Sequence, residues 1–302
     1  MIIRPAVAGD RDSIESCVDS NWADDKQWGP TRAASYATTE RATVVVAELG
    51  SAVVGVASLL LSTRARFGII HMDVATSHQQ QGIGSALLGE LRRRHPSTPA
   101  MIRVRPWDTK SSRFLRNHGF AVAERVIEGW LEPASQAMLR WVSDAIRATP
   151  ASVTITPIES GRHTRRDIAG VIDSWYQRHH EWAPPRHLSI DEAVALYLDP
   201  SLPDTGHTAE VDGELVGAGV LLPDPFHTRP GGAHLVNLGV GAGGRPDEAA
   251  IVTGLFAACL QAANAQGRSV QVEVSNLHNR GWELVEALPV TELFEGLVIY
   301  VG

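Results

Sequence analysis

One α/β pattern occurs twice in this chain, and that repetition constrains the fold more than any other feature. Residues 48–60, ELGSAVVGVASLL, read against residues 210–222, EVDGELVGAGVLL. Each segment is a β-run, a tight glycine-containing turn and a second β-run, which is the pattern of a hairpin. Helical stretches precede both, at residues 11–18 and 164–176. A strand, a glycine-containing turn and a long amphipathic helix follow both: 69–74 then 84–94, and 235–240 then 249–265. Another strand comes next (101–105 or 269–274), then a short helix and two closing β-runs. Any two α/β segments look somewhat alike, but chance likeness does not reproduce one order at a nearly constant offset (162 at the hairpin, 166 at the strand before the helix). Two copies of one α/β fold is the economical account.

The boundary falls where helical spacing appears between turn signals. Met138, Trp141, Val142, Ala145 and Ile146 follow a helical period after Pro133, and Thr149-Pro150-Ala151-Ser152 ends the segment. The expected division is a domain at 1–130, a linker helix at 131–152 and a second domain at 153–302. Charge separates the same halves. Residues 1–150 hold 18 Lys and Arg against 15 Asp and Glu, whereas residues 151–302 hold 9 against 19. A polyanionic cofactor suits the basic half, and a nucleic-acid surface is not expected on the acidic one. Two cysteines exclude a disulfide framework and a cysteine-built metal site. The longest apolar run, 53–61, is broken by Gly55 and Ser58, and the N-terminus lacks a secretory pattern. A cytoplasmic globular protein with no membrane partner is the expectation.

The segment that carries chemistry is residues 69–88, IIHMDVATSHQQQGIGSALL. A β-run enters a turn holding Gln79-x-x-Gly82-x-Gly84, and a helix starts there with Ile83, Ala86, Leu87 and Leu91 on one face. Glycine lets the backbone approach a ligand, and a helix's first amides point outward with the positive dipole end. Such a turn cradles phosphate oxygens.

These residues resemble the acetyl-CoA-binding motif of the GNAT superfamily of N-acetyltransferases, Gln/Arg-x-x-Gly-x-Gly/Ala after a central strand. Val74 matches the strand-end valine, Asn117-His118-Gly119-Phe120 the closing Gly-Phe, and Ile2-Ile3-Arg4-Pro5-Ala6 the first strand. The resemblance spans residues 1 to about 130 and implies, for each half, an α/β (α+β) tandem GNAT fold with a mixed central sheet flanked by helices. It implies acetyl-CoA as co-substrate, no metal, and a pyrophosphate held by amides of Gln79, Gln80, Gln81, Gly82, Ile83, Gly84 and Ser85. The backbone at Asp73, Val74 and Ala75 would pair with the pantetheine arm, and Asp108 and Ser111 stand where the family contacts that arm. The family's tyrosine acid is replaced by Leu115, leaving Ser111, Ser112, water or an unaided thiolate departure.

For the general base, His71 and Asp73 share one strand face and read either as catalytic groups or as a polar pair on a sheet. In the loop after the first helix, Trp22, Asp24, Asp25 and Trp28 suit a cationic amine or form a solvated acidic loop. In the second copy, Arg245 stands for Gln79 and Glu248 for Gly82. Asp247 lies beside Glu248, and Pro246 removes a donor, so CoA binding is not expected there. Packing, homodimerisation or substrate enclosure are the roles left to that half. Its Gly241–Gly244 run lacks the Lys and Ser/Thr of a P-loop, and His179, His180 and His187 lack metal-ligand spacing. The layout is similar to the bleomycin-type antibiotic acetyltransferases and more distantly to mycothiol synthase. That implies acetylation of a small-molecule amine, with peptide acetylation or acyl-CoA sensing as competing readings.

Overall fold

The computed structural model describes residues 1–22, 36, 41–62, 67–178, 185–223, 233–240, 245–275, 283–284, 286–289 and 293–302. The chain divides into two compact units, Met1–Ala123 with Val298–Gly302, and Glu124–Leu297.

In the first unit, β1 (Ile2–Pro5) leads through a 3-10 turn into α1 (Arg11–Trp22), followed by β2 (Ala42–Leu49), β3 (Ala52–Leu61) and β4 (Gly68–Val74). Then come α2 (Ile83–Arg94), β5 (Ala100–Val104) and α3 (Thr109–Asn117). The β2–β3 turn uses Gly50 at φ 66°, a left-handed angle that glycine adopts without strain. Strands β1 to β4 are antiparallel neighbours, and β4 meets β5 in parallel. The far side of β5 is paired by the end of the chain: in β12 (Leu293–Val301), Val298 faces Val104 and Val301 faces Met101, antiparallel.

Helix α2 forms because Ile83, Leu87, Leu88 and Leu91 recur at helical spacing and bury one face, while Arg92, Arg93 and Arg94 complement its C-terminal dipole end. That face joins Ala57, Leu59, Ile70, Ile102, Leu115, Phe120, Val298 and Tyr300 in one core. At roughly 1.5–3 kcal/mol per buried aliphatic side chain, the four residues are the main anchor of α2. Gly55 on β3 permits this docking, since a Cβ there would lie 3.0 Å from Ile83 and 3.1 Å from Leu87. On the opposite sheet face α1 packs Ile14 and Val18 against Val44, Val46 and Val56, with Tyr36.

The second unit comprises β6 (Ala121–Leu131), α4 (Gln136–Ala148), β7 (Val153–Pro157), α5 (Arg165–Arg178), α6 (Ile190–Tyr197), β8 (His207–Val211) and β9 (Glu214–Pro223). It continues with β10 (Ala233–Val240), α7 (Glu248–Ala265) and β11 (Val270–Ser275). Its pairing mirrors the first unit: β7 to β10 antiparallel in sequence, β10 with β11 parallel, and β11 antiparallel to β6. Among the described residues, one long strand rather than two closing β-runs ends each copy. The first copy's, β6, flanks β11, and the second copy's, β12, flanks β5.

The helix expected as a linker is α4, capped by Ser135 accepting from the Met138 amide at 3.2 Å. Its Met138, Val142 and Ala145 enter the core with Phe256, Cys259 and Leu260 of α7, so it is a structural member of the second unit. α7 is long and apolar enough to cross a bilayer by composition, and half of it is buried within the unit. Its apolar content is accounted for by that core position.

Candidate active site

The site begins where two parallel strands part. β4 and β5 pair at Gly68↔Ala100 and Ile69↔Met101, and among the described residues no further register joins them. The Gly68 amide donates to the Pro99 carbonyl at 2.9 Å, and the Ala75 amide donates to Val54 on the other side at 3.0 Å. Strand alternation therefore turns the odd-numbered residues of β4 toward β3. Met72 and Val74 aim their N–H and C=O groups at the side that β5 has left. Of the three backbone positions expected to meet a pantetheine arm, only Val74 faces the gap. The Ala75 amide is already bonded to β3, and Asp73 alternates toward β3.

Beyond the point where β4 leaves β5 the chain turns into α2. A 3-10 turn at Thr76–His78 is followed by Gln80 at φ 63° and by Gly82, the α2 N-cap, at φ 80° and ψ 0°. A Cβ on Gly82 would touch nothing within 4 Å, so the backbone angle rather than space demands glycine. At Gly84 a Cβ would lie 3.4 Å from Phe114 of α3, an ordinary packing distance, so neither space nor backbone angle there demands glycine. The first-turn amides of Ile83, Gly84 and Ser85 lack intrahelical acceptors, and no acidic residue lies in that turn. This is the charge and geometry a diphosphate requires. Gln79, Gln80, Gln81 and Ser85 are exposed around it.

A histidine absent from the sequence-based site stands at the same turn. His118 Nδ1 lies 2.8 Å from the Phe114 carbonyl, and Nε2 lies 3.0 Å from Ser85 Oγ. A carbonyl only accepts, so Nδ1 carries the proton toward it and the neutral ring accepts from the serine at Nε2. The closing Asn-His-Gly-Phe run contained this residue without marking it as part of the site.

On the α1 side of the sheet lie Ser58, His71 and Asp73, with Ser58 and Asp73 buried. The Tyr36 hydroxyl donates to Asp73 Oδ2, and the Tyr36 ring meets His71 edge-on at 6.5 Å between centroids. Cys17, beneath them, is pushed up to about 11 by burial first and by the Asp73 charge second. His71 and Asp73 thus share a face, as period-2 alternation predicts, and Tyr36 is a partner that sequence spacing did not reveal.

Asn21 on α1 ties the two regions together. Its Nδ2 donates to the Val74 carbonyl at 3.0 Å and lies 3.4 Å from Asp73 Oδ1. Its Oδ1 is 3.0 Å from Thr76 Oγ1 and accepts from Gln79 Nε2 at 3.2 Å. Gln79 also donates to the Val74 carbonyl at 3.2 Å.

The remaining expected residues are placed as follows. Asp108 caps α3, accepting from the Ser111 amide at 2.9 Å, so one carboxylate oxygen and the Ser111 N–H are engaged with each other. Leu115, at the family's tyrosine position, is buried in the core. Trp22 is the last residue of α1. Asp24, Asp25 and Trp28 lie outside the described residues, as do His179 and His180. Among the described residues no group of three or more His, Cys, Asp or Glu could hold a metal ion.

In the second unit the strands part likewise, β10 meeting β11 at Ala233↔Val270 and His234↔Gln271. The residue at the helix cap, however, is Asp247, with Glu248 as the first residue of α7. Thus Asp247 occupies the place of Gly82 and Glu248 that of Ile83, one residue from the pairing expected. The Arg245 guanidinium closes on Asp247 at 2.9 Å and 3.1 Å, holding its carboxyl below the ordinary range. An internal ion pair stands where the first unit presents bare amides.

Residues 40–122 match the acetyltransferase (GNAT) domain family. No curated protein matches the sequence. Among solved structures, the chain is similar over its full length to a GCN5-related N-acetyltransferase from Sphaerobacter thermophilus, with TM-score 0.66, 15% identity and 95% of that chain covered. It is similar over its full length to a tandem GNAT protein from the clavulanic acid biosynthesis pathway, with TM-score 0.60, 17% identity and 98% of that chain covered. A GCN5-related N-acetyltransferase from Kribbella flavida matches 99% of this chain and 70% of its own length at TM-score 0.53 and 15% identity. The first unit therefore carries a GNAT acetyltransferase domain, and the chain as a whole has the tandem GNAT fold.

Proposed function

We propose that the first unit transfers the acetyl group of acetyl-CoA to the primary amine of a small cationic molecule, an antibiotic of that kind being the favoured substrate class. The observation that carries this reading is the parting of β4 from β5 after Ile69↔Met101, beside a glycine-turned helix N-terminus free of acidic side chains. An extended pantetheine amide adds to that edge as a strand does, and a diphosphate meets the amides of residues 79–85. The Val74 N–H, facing the gap, polarises the thioester carbonyl.

The amine nitrogen forms a bond to the thioester carbon as the C–S bond breaks. Its proton passes to the Asp73 carboxylate, directly or through a water, with His71 the alternative acceptor. The thiolate leaves and takes a proton from water, as a thiol of pKa ~8.5 permits without a dedicated acid. That accommodates Leu115 in the core. A buried carboxylate held by Tyr36 also suits a cationic acceptor. The clavulanic acid pathway relative lends support to small-molecule chemistry. We assign the second unit a structural role, including homodimerisation, because Asp247 and Glu248 occupy its helix start.

The test is release of free thiol from acetyl-CoA across a panel of amines. Turnover with small cationic amines supports the reading, turnover confined to peptides favours protein acetylation, and tight binding without turnover favours a sensor.

A further inference from the structure

The Val74 carbonyl faces the gap with both lone pairs engaged, by Asn21 Nδ2 at 3.0 Å and Gln79 Nε2 at 3.2 Å. A carbonyl has two lone pairs, so an amide N–H of an incoming arm must displace one of these donors. Asn21 is the donor with somewhere to go. Its Nδ2 already donates a long bond to Asp73 Oδ1 at 3.4 Å, and a small rotation that gives up the carbonyl shortens the bond to the carboxylate. Among the described residues, Gln79 donates to the Val74 carbonyl and to Asn21 Oδ1, with no carboxylate beside it. Thr76 fixes the pivot: its hydroxyl lies 3.0 Å from Asn21 Oδ1 and 2.8 Å from the Ser20 carbonyl, with one hydrogen to share.

Resting on the reading of the β4 edge as the pantetheine site, we propose that Asn21 is a positioning residue that competes with the acyl-CoA arm for the Val74 carbonyl. When displaced, it delivers its N–H to Asp73. Acyl-CoA binding thereby sets the orientation of the carboxylate that receives the amine, and the two substrates communicate through one side-chain amide.

The sign of the predicted effect is opposite to that of a merely structural residue. Asn21→Ala removes the competitor, so CoA binds about 3–10-fold more tightly by isothermal titration, the range expected of one net amide hydrogen bond. Adenosine 3′,5′-bisphosphate, which carries phosphates but no pantetheine arm, binds wild type and variant equally. Unchanged or weaker CoA binding in Asn21→Ala, or an equal change for both ligands, overturns the proposal. Should Asn21→Ala fail to fold, Thr76→Val, which releases the pivot, must likewise tighten CoA binding and leave the bisphosphate unchanged. If wild type binds neither ligand, the reading of the loop fails along with the competition. If it binds both and Asn21→Ala does not tell them apart, only the competition fails.

Discussion

Asp73 combines features that its neighbours on β4 do not. It is buried, it accepts from the Tyr36 hydroxyl, and it shares the α1 face with His71. Replacing it by Asn keeps the shape and the bond from Tyr36 but removes the proton acceptor. Asp73→Asn is expected to lower kcat roughly 10²–10⁴-fold with little change in CoA affinity. Steady-state kinetics beside CoA titration check this, and an unchanged kcat would pass the role to His71. A second carboxylate governs stability instead. Asp10 accepts from the Arg4 guanidinium at 2.7 and 2.8 Å and from the Val7 amide at 2.8 Å, and the guanidinium above all holds its carboxyl below the ordinary range. A depressed folded value stabilises the fold above the ordinary carboxylate range, and that contribution is lost as pH falls through the folded value. Asp10→Asn should cost about 1–3 kcal/mol at pH 7. The gap from wild type in denaturant midpoint should narrow as pH falls below the ordinary carboxylate range. At this scale glycine and carboxylate positions were legible in the sequence because their types are informative. The Asn21 and Tyr36 contacts were not, since an amide or a phenol far away in the chain leaves no periodic mark.

Elements were legible wherever hydrophobic period and turn chemistry agreed. Strand β4 and helices α2 and α7 fall within a residue of the expected limits, because period 2 and period 3.6 both persist over enough residues to be distinguished. Both hairpins lie where expected but begin earlier, at Ala42 and His207. The pairing of Glu248 with Gly82 was off by one residue, since the loop before α7 is one residue shorter than that before α2 and a strict offset cannot absorb that. The linker helix showed its amphipathic face plainly, yet its spacing could not say which core would receive it. Docking of α2 rests on Gly55, where any side chain intrudes on Ile83 and Leu87. Gly55→Leu is expected to destabilise the first unit by about 1–3 kcal/mol or more and to weaken CoA binding through displacement of α2. Thermal unfolding followed with and without CoA measures both, and normal stability would show that the helix shifts freely.

At the scale of the whole molecule, the duplication was readable but the strand exchange was not. Pairing of β strands is non-local, and an edge such as β5 accepts any strand with suitable alternation. The last residues of the chain fill that role: Val298 and Tyr300 lie in the core of the first unit, and Gly302 exchanges backbone hydrogen bonds with Ala100. The first unit therefore depends on the far end of the chain. Tyr300→Ala should destabilise the first unit by about 3–5 kcal/mol, the cost typical of deleting a buried aromatic ring. Proteolysis of that unit, monitored by fragment mass, should accelerate, and an unaltered digestion pattern would contradict the role assigned to β12. The acidic balance of the second half is consistent with one phosphate cradle per chain rather than two. The most direct measurement is the stoichiometry of CoA binding by calorimetry for the intact chain, Gly82→Glu and Glu248→Ala. One CoA per chain, lost in Gly82→Glu and retained in Glu248→Ala, is the predicted result. Two per chain, or binding that survives Gly82→Glu and disappears with Glu248→Ala, would contradict the assignment of the working half.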